Sequence, residues 1–127
     1  MAWVHLVICL AVLEFLYFGF EVGRARGRYG VKAPATSGNE IFERYFRVHM
    51  NTLEMLIVFI PACLIFGLYV NAPAAAGLGA VYIVGRYVYL RGYVRDPARR
   101  ELGFMLSSVP TSILLFGAIY GAVRALL

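Results

Sequence analysis

Residues 42–54 read Phe-Glu-Arg-Tyr-Phe-Arg-Val-His-Met-Asn-Thr-Leu-Glu and run straight into the apolar stretch that ends at Val70. Arg47, Asn51 and Glu54 are spaced four and three residues apart, so on a helix they fall in one narrow stripe. Residues 48–70 supply the roughly 20 residues that cross a hydrocarbon core of about 30 Å. A cation, an amide and a carboxylate aligned at that depth are expensive to keep there. Such groups face a bundle interior or a polar cavity, and their default reading is a functional site.

Three further apolar segments lie around this one, at about 2–23, 73–94 and 104–127. The chain is 61% hydrophobic and 15% charged, with a mean hydropathy of +0.74. A soluble domain carries roughly a quarter charged residues. The expected fold is therefore an all-α membrane protein, a single domain over 1–127 folded as a four-helix transmembrane bundle.

The net charge of +5 is distributed unevenly. Arg24, Arg26, Arg28, Lys32, Arg44 and Arg47 surround the first connection, and Arg86, Arg91, Arg95, Arg99 and Arg100 the third; the second, around Asn71, is uncharged. The positive-inside rule places both basic loops in the cytoplasm and both termini outside. Arginines at membrane boundaries offer no soluble platform for nucleic acid, so none is expected as a partner. Glu14 and Glu21 interrupt the first apolar run, which lacks a positive leader and does not read as a signal peptide. Cys9 and Cys63, each alone in an apolar span, read as small hydrophobes, and no metal-ligand spacing occurs. Eleven Arg against one Lys hint at a GC-rich, bacterial source.

The first span carries Glu14, Tyr17, Glu21 and Arg24 on one stripe. Lys32-Ala-Pro-Ala-Thr-Ser-Gly-Asn39 ends that helix, and Asn39 or Ser37 caps the next, which runs from about Ile41 to Val70 through Pro61. Asn71-Ala-Pro73 turns into a third span with Tyr82, Arg86, Tyr89 and Tyr93 on one stripe. Asp96-Pro97 breaks the chain again. The fourth span has small residues suited to close packing, including Gly103, Gly117 and Gly121.

Two motifs, Glu43-Arg44-xx-Arg47-x-His49-x-Asn51-xx-Glu54 and Gly85-Arg86-xx-Tyr89-xxx-Tyr93 followed by Arg100, resemble those of the membrane-associated proteins in eicosanoid and glutathione metabolism (MAPEG). The resemblance covers essentially the whole chain. It implies a homotrimer with glutathione bound between neighbouring subunits near the cytoplasmic face, and no metal. On the matching positions, Arg47, Asn51, Glu54, Tyr89, Tyr93 and Arg100 would contact glutathione, with His49 and Arg26 also at family positions. The chain departs from leukotriene C4 synthase, where a second arginine directly follows the position of Arg26: here Gly27 stands there and Arg28 one residue on. Met55 likewise replaces a tyrosine. The implied activity is glutathione transfer or peroxide reduction on hydrophobic electrophiles or lipid hydroperoxides. The alternative is a non-catalytic accessory protein that binds and presents a lipid. The implied location is a multi-pass membrane protein, in the inner membrane of a bacterium.

The residue types suit that ligand independently. Glutathione presents two carboxylates, an ammonium and a thiol; guanidinium groups recognise carboxylates through paired charge-assisted bonds, and Glu54 suits the ammonium. The thiol needs a cation to become a thiolate at neutral pH; Arg100 is the first candidate and Arg28 the second. Against this stand plainer roles. Arg24, Arg91, Arg95 and Arg99 suit interfacial anchors. Arg44 is an anchor or half of an intersubunit salt bridge. Arg47, Asn51 and Glu54 are read as a site or as a network joining helices. Glu14 is expected at a subunit contact or cavity, and Glu21 beside an arginine.

Overall fold

The computed structural model describes all residues, 1–127. Four helices follow in chain order: α1 (Ala2–Tyr29), α2 (Glu40–Tyr69), α3 (Ala72–Arg95) and α4 (Glu101–Leu126), with a single 3-10 turn, Pro97–Arg99, before the last. The boundaries follow from local chemistry. Asn39 Oδ1 accepts from the backbone N–H groups of Ile41 (2.9 Å) and Phe42 (3.0 Å), which settles the cap of α2 on Asn39. Glu40 and Glu43 occupy its positive first turn. Asn71 caps α3 by accepting from Ala74 N at 2.7 Å, and Asp96 caps the 3-10 turn by accepting from Ala98 N at 3.1 Å. Helix α1 stops at Gly30, which takes the left-handed φ of 70° that suits glycine.

Pro61 lies inside α2 without ending it, and Pro110 does the same in α4. With 30 residues, α2 is about 45 Å long, half as long again as a hydrocarbon core. That length leaves room for polar first turns, which carry Glu43, Arg44 and Arg47, beside a full apolar span.

Helices α2 and α3 form the middle of the bundle, and α1 and α4 each pack on both of them. The core is lined by Val4, Val7 and Ala11 of α1, Leu56, Phe59 and Phe66 of α2, Ala75 and Tyr82 of α3, and Leu114 of α4. Phe59 and Tyr82 stack with centroids 4.0 Å apart and planes at 8°. The small residues of α4 serve two neighbours. Gly103 lies directly against the backbone of Tyr89 in α3, whereas Gly117 faces the Phe66 ring and Gly121 faces Tyr69 and Val70 of α2. Close approach of α3 and α4 is reciprocal, because a Cβ at Gly85 would fall 2.6 Å from the carbonyl carbon of Leu106.

Three segments are long and apolar enough to cross a membrane: Ala2–Tyr29, Glu40–Tyr69 and Pro97–Leu126. The fourth expected span, in α3, is long enough but falls short in hydropathy. Its glycines, its tyrosines and Arg86, Arg91 and Arg95 are the cause. Like α2, this helix packs against all three others.

Candidate functional site

Helix α2 presents Arg47 and Glu54 on the outside of the bundle, with Asn51 half-buried between them. Neither Arg47 nor Glu54 has an ion-pair or hydrogen-bond partner in the chain; the ion pairs formed are Arg24–Glu21 at 3.1 Å and Arg44–Glu40 at 3.0 Å. The first of these is the arginine pairing expected for Glu21. The second engages Arg44 within its own chain. There its Nη1 also donates to the carbonyls of Val94 (3.0 Å) and Arg95 (3.4 Å).

Arg47 and Tyr93 line one recess of about 370 Å³, walled by Thr36, Glu43, Arg44 and Pro97. Tyr93 lies against Tyr89, with ring centroids 5.5 Å apart. Arg47 and Arg100 are both near enough to act electrostatically on the Tyr89 hydroxyl. Arg100 is exposed and sits at the N-cap of α4, where the positive end of the helix adds to its charge. The chain thus gathers Arg47, Tyr89, Tyr93 and Arg100 at one end of the α2/α3 face, with Asn51 deeper and Glu54 further along the same stripe.

His49, Arg26 and Arg28 do not join this group within one chain. The His49 ring stacks on Phe15 of α1, 4.4 Å between centroids and 19° between planes, and faces Gly19. Arg26 donates from Nη1 to the Ala35 carbonyl at 2.7 Å and lies over the Phe42 ring at 4.8 Å, bracing the first connection. Arg28 lines a separate recess of about 140 Å³ with Glu21, Arg24 and Tyr45.

The sequence has known relatives. The sequence profile of the MAPEG family matches residues 4–120. The chain belongs to the MAPEG family. It is 45% identical over 117 residues to an uncharacterized protein of Synechocystis, covering 92% of this chain and 85% of that one. It is also 39% identical over 114 residues to human microsomal glutathione S-transferase 2 (89% and 78%). With guinea-pig (Cavia porcellus) leukotriene C4 synthase it shares 35% over 115 residues (91% and 77%).

Within this MAPEG chain the most deeply placed charge is Arg86, which sequence reasoning grouped with the basic third connection. It is fully buried, at 0% exposure. Arg86 Nη2 donates to Asn51 Oδ1 at 2.8 Å, Nη1 donates to Ser107 Oγ at 3.4 Å, and the guanidinium lies over the Tyr89 ring at 4.3 Å. One arginine therefore joins α2, α3 and α4 just behind the outer stripe. The signal was present: Arg86 stands four residues after Tyr82 and three before Tyr89, on the inward stripe of α3. Glu14 also turns inward from α1, with Oε1 buried and without a hydrogen-bond partner.

Proposed function

We propose that this protein is a membrane-bound glutathione transferase, with peroxidase activity, that holds glutathione as a thiolate and delivers it to hydrophobic electrophiles or lipid hydroperoxides. The observation that carries the reading is the state of Arg47 and Glu54. A cation and an anion on one face of a membrane helix, both exposed and both unpaired in the chain, call for a partner of mixed charge. A zwitterionic tripeptide thiol supplies one. Arg47 takes a carboxylate and Glu54 the ammonium, while Tyr89 and Tyr93 order the peptide. The relatives named microsomal glutathione S-transferase 2 support the ligand.

The thiolate forms beside Arg100. Lowering a thiol pKa from about 8.5 by two units requires about 2.7 kcal/mol of preferential stabilisation. One cation a few ångströms away supplies that order of energy at an effective dielectric near 20. The thiolate then displaces a leaving group from electrophilic carbon. With a hydroperoxide it takes the terminal oxygen and releases the alcohol, and a second glutathione yields the disulfide and water. The electrophile arrives from the bilayer along the α2/α4 side, where an apolar groove of about 380 Å³ runs between Ile57, Pro61, Leu115 and Ile119.

Arg26 and His49 lie toward α1, away from the Arg47 group, so one chain offers two partial sets. A homotrimer in which one copy's Arg26 and His49 meet the next copy's Arg47 stripe completes the site. In this arrangement all four helices span, the basic loops face the cytoplasm, and in a bacterium the protein sits in the inner membrane.

The test uses purified protein in detergent with glutathione and an aryl halide. Wild type shows thiolate absorbance and conjugation. Arg47→Ala and Glu54→Ala lose glutathione binding, whereas Arg100→Ala retains binding and loses turnover. Undiminished affinity in the first two variants rejects the pocket, and binding without conjugation or peroxide reduction selects the lipid-presenting accessory role.

A further inference from the structure

One groove on the α1/α3 side has no part in the glutathione site. Its larger recess, about 270 Å³, is lined by Tyr17 and Glu21 of α1, by Arg91 and Arg95 of α3, and by Tyr45 of α2. The smaller recess that holds Arg24 and Arg28 shares Glu21 and Tyr45 with it, so the two run together. Neither shares a residue with the recess of Arg47 and Tyr93. The groove gathers a polar stripe of α1, since Tyr17, Glu21, Arg24 and Arg28 recur at four, three and four residues. Its charges do not balance. Glu21 is the one carboxylate lining it, and Arg24 holds that group at 3.1 Å. Arg28, Arg91 and Arg95 are exposed and form no ion pair.

Away from these cations the same helix faces turn apolar. Leu13 and Leu10 precede Tyr17 by four and seven residues, and Tyr87 and Val84 precede Arg91 by the same steps. All four are exposed. Both runs lead from the arginine-bearing end toward the middle of the bundle. The groove therefore suits a ligand with an anionic head and apolar tails. Guanidinium groups pair well with phosphate, and basic recesses between membrane helices take acidic phospholipid headgroups. A plain interfacial anchor needs one arginine facing the boundary, not three around one recess. We propose that the groove is a lipid site: Arg28, Arg91 and Arg95 hold the phosphate of one anionic phospholipid per chain, and its acyl chains follow Leu13 and Tyr87 into the bilayer.

Native mass spectrometry of the full-length protein, delipidated in detergent, tests this with phosphatidylglycerol, phosphatidylcholine and soluble glycerol phosphate as probes. Wild type holds one phosphatidylglycerol per chain at concentrations where the other two leave it bare. Arg91→Gln/Arg95→Gln weakens that binding about thirtyfold, since each arginine at an anionic lipid surface contributes about a factor of five. Arg99→Gln/Arg124→Gln removes as much charge outside the groove and leaves binding unchanged. Phosphatidylglycerol also raises the melting temperature of wild type and of the second variant, but not of the first. All four arginines are exposed and outside any ion pair, so lipid-free melting stays as in wild type. Should the first variant melt early, Arg91→Gln alone, about fivefold weaker, carries the same test. Equal loss in the two double variants reduces the effect to general attraction and overturns the site. So does phosphatidylcholine bound as tightly, which leaves only an apolar groove, or glycerol phosphate bound as tightly, which assigns the arginines to a soluble anion.

Discussion

Arg44 of α2 ends on the last turn of α3, its Nη1 donating to the Val94 carbonyl at 3.0 Å while Nη2 holds Glu40. The C-terminal carbonyls of a helix have no partners within it, and a guanidinium is well suited to meet them. This contact fixes the start of α2 against the end of α3, the two walls of the recess that holds Arg47 and Tyr93. Arg44→Leu is expected to destabilise the protein by about 1–3 kcal/mol and to raise the glutathione KM, since the recess opens. Thermal melting in detergent and steady-state kinetics check both parts.

Arg47 and Glu54 behave differently, because neither supports the fold of its own chain. Arg47→Ala and Glu54→Ala are expected to change ligand-free stability by no more than about 0.5 kcal/mol. What they lose is the ligand-dependent increment, which in wild type reaches about 2.7 kcal/mol at glutathione one hundred times its Kd. Melting with and without glutathione separates the two quantities.

Gly103 tests the contact between α3 and α4. Any side chain there collides with the Tyr89 backbone, so the helices must separate and carry Tyr89 with them. Gly103→Val is expected to cost at least about 2 kcal/mol and to impair glutathione binding. Gly77, which has open space around it in the same pair of helices, provides the contrast: Gly77→Ala is expected to stabilise α3 by about 0.5–1 kcal/mol.

His49 packs on Phe15 within one chain and meets the ligand only in the proposed trimer. His49→Phe keeps the stacked ring and removes the ring nitrogens. An unchanged melting temperature with glutathione affinity about fivefold weaker is expected, the size of one ordinary hydrogen bond. Calorimetric titration of the purified protein reads the affinity; equal affinity in the variant assigns His49 to packing alone.

The capping chemistry was legible in advance: Asn39, Asn71-Ala-Pro73 and Asp96-Pro97 mark the helix starts, and Pro61 stays inside α2 as expected. Which face of each helix turns inward was less legible. In lipid the outer face is as apolar as the core, so Leu6, Leu13, Leu16 and Phe20 of α1 look like core residues and are exposed. Arg86 was obscured for a related reason. Its stripe with Tyr82, Tyr89 and Tyr93 was legible, but a stripe does not say which neighbouring helix it faces.

The modest hydropathy of α3 bears on how the protein is made. A segment with too little hydropathy to partition alone enters a bilayer only with a companion already in hand. Asn71 and Pro73 bend the chain back within two residues of α2, so in the four-span arrangement proposed above α2 and α3 insert as one hairpin. Ribosomal synthesis would then hold α3 at the translocon beside α2 until α4, which packs closely against it at Gly85 and Gly103, emerges to seal its remaining side.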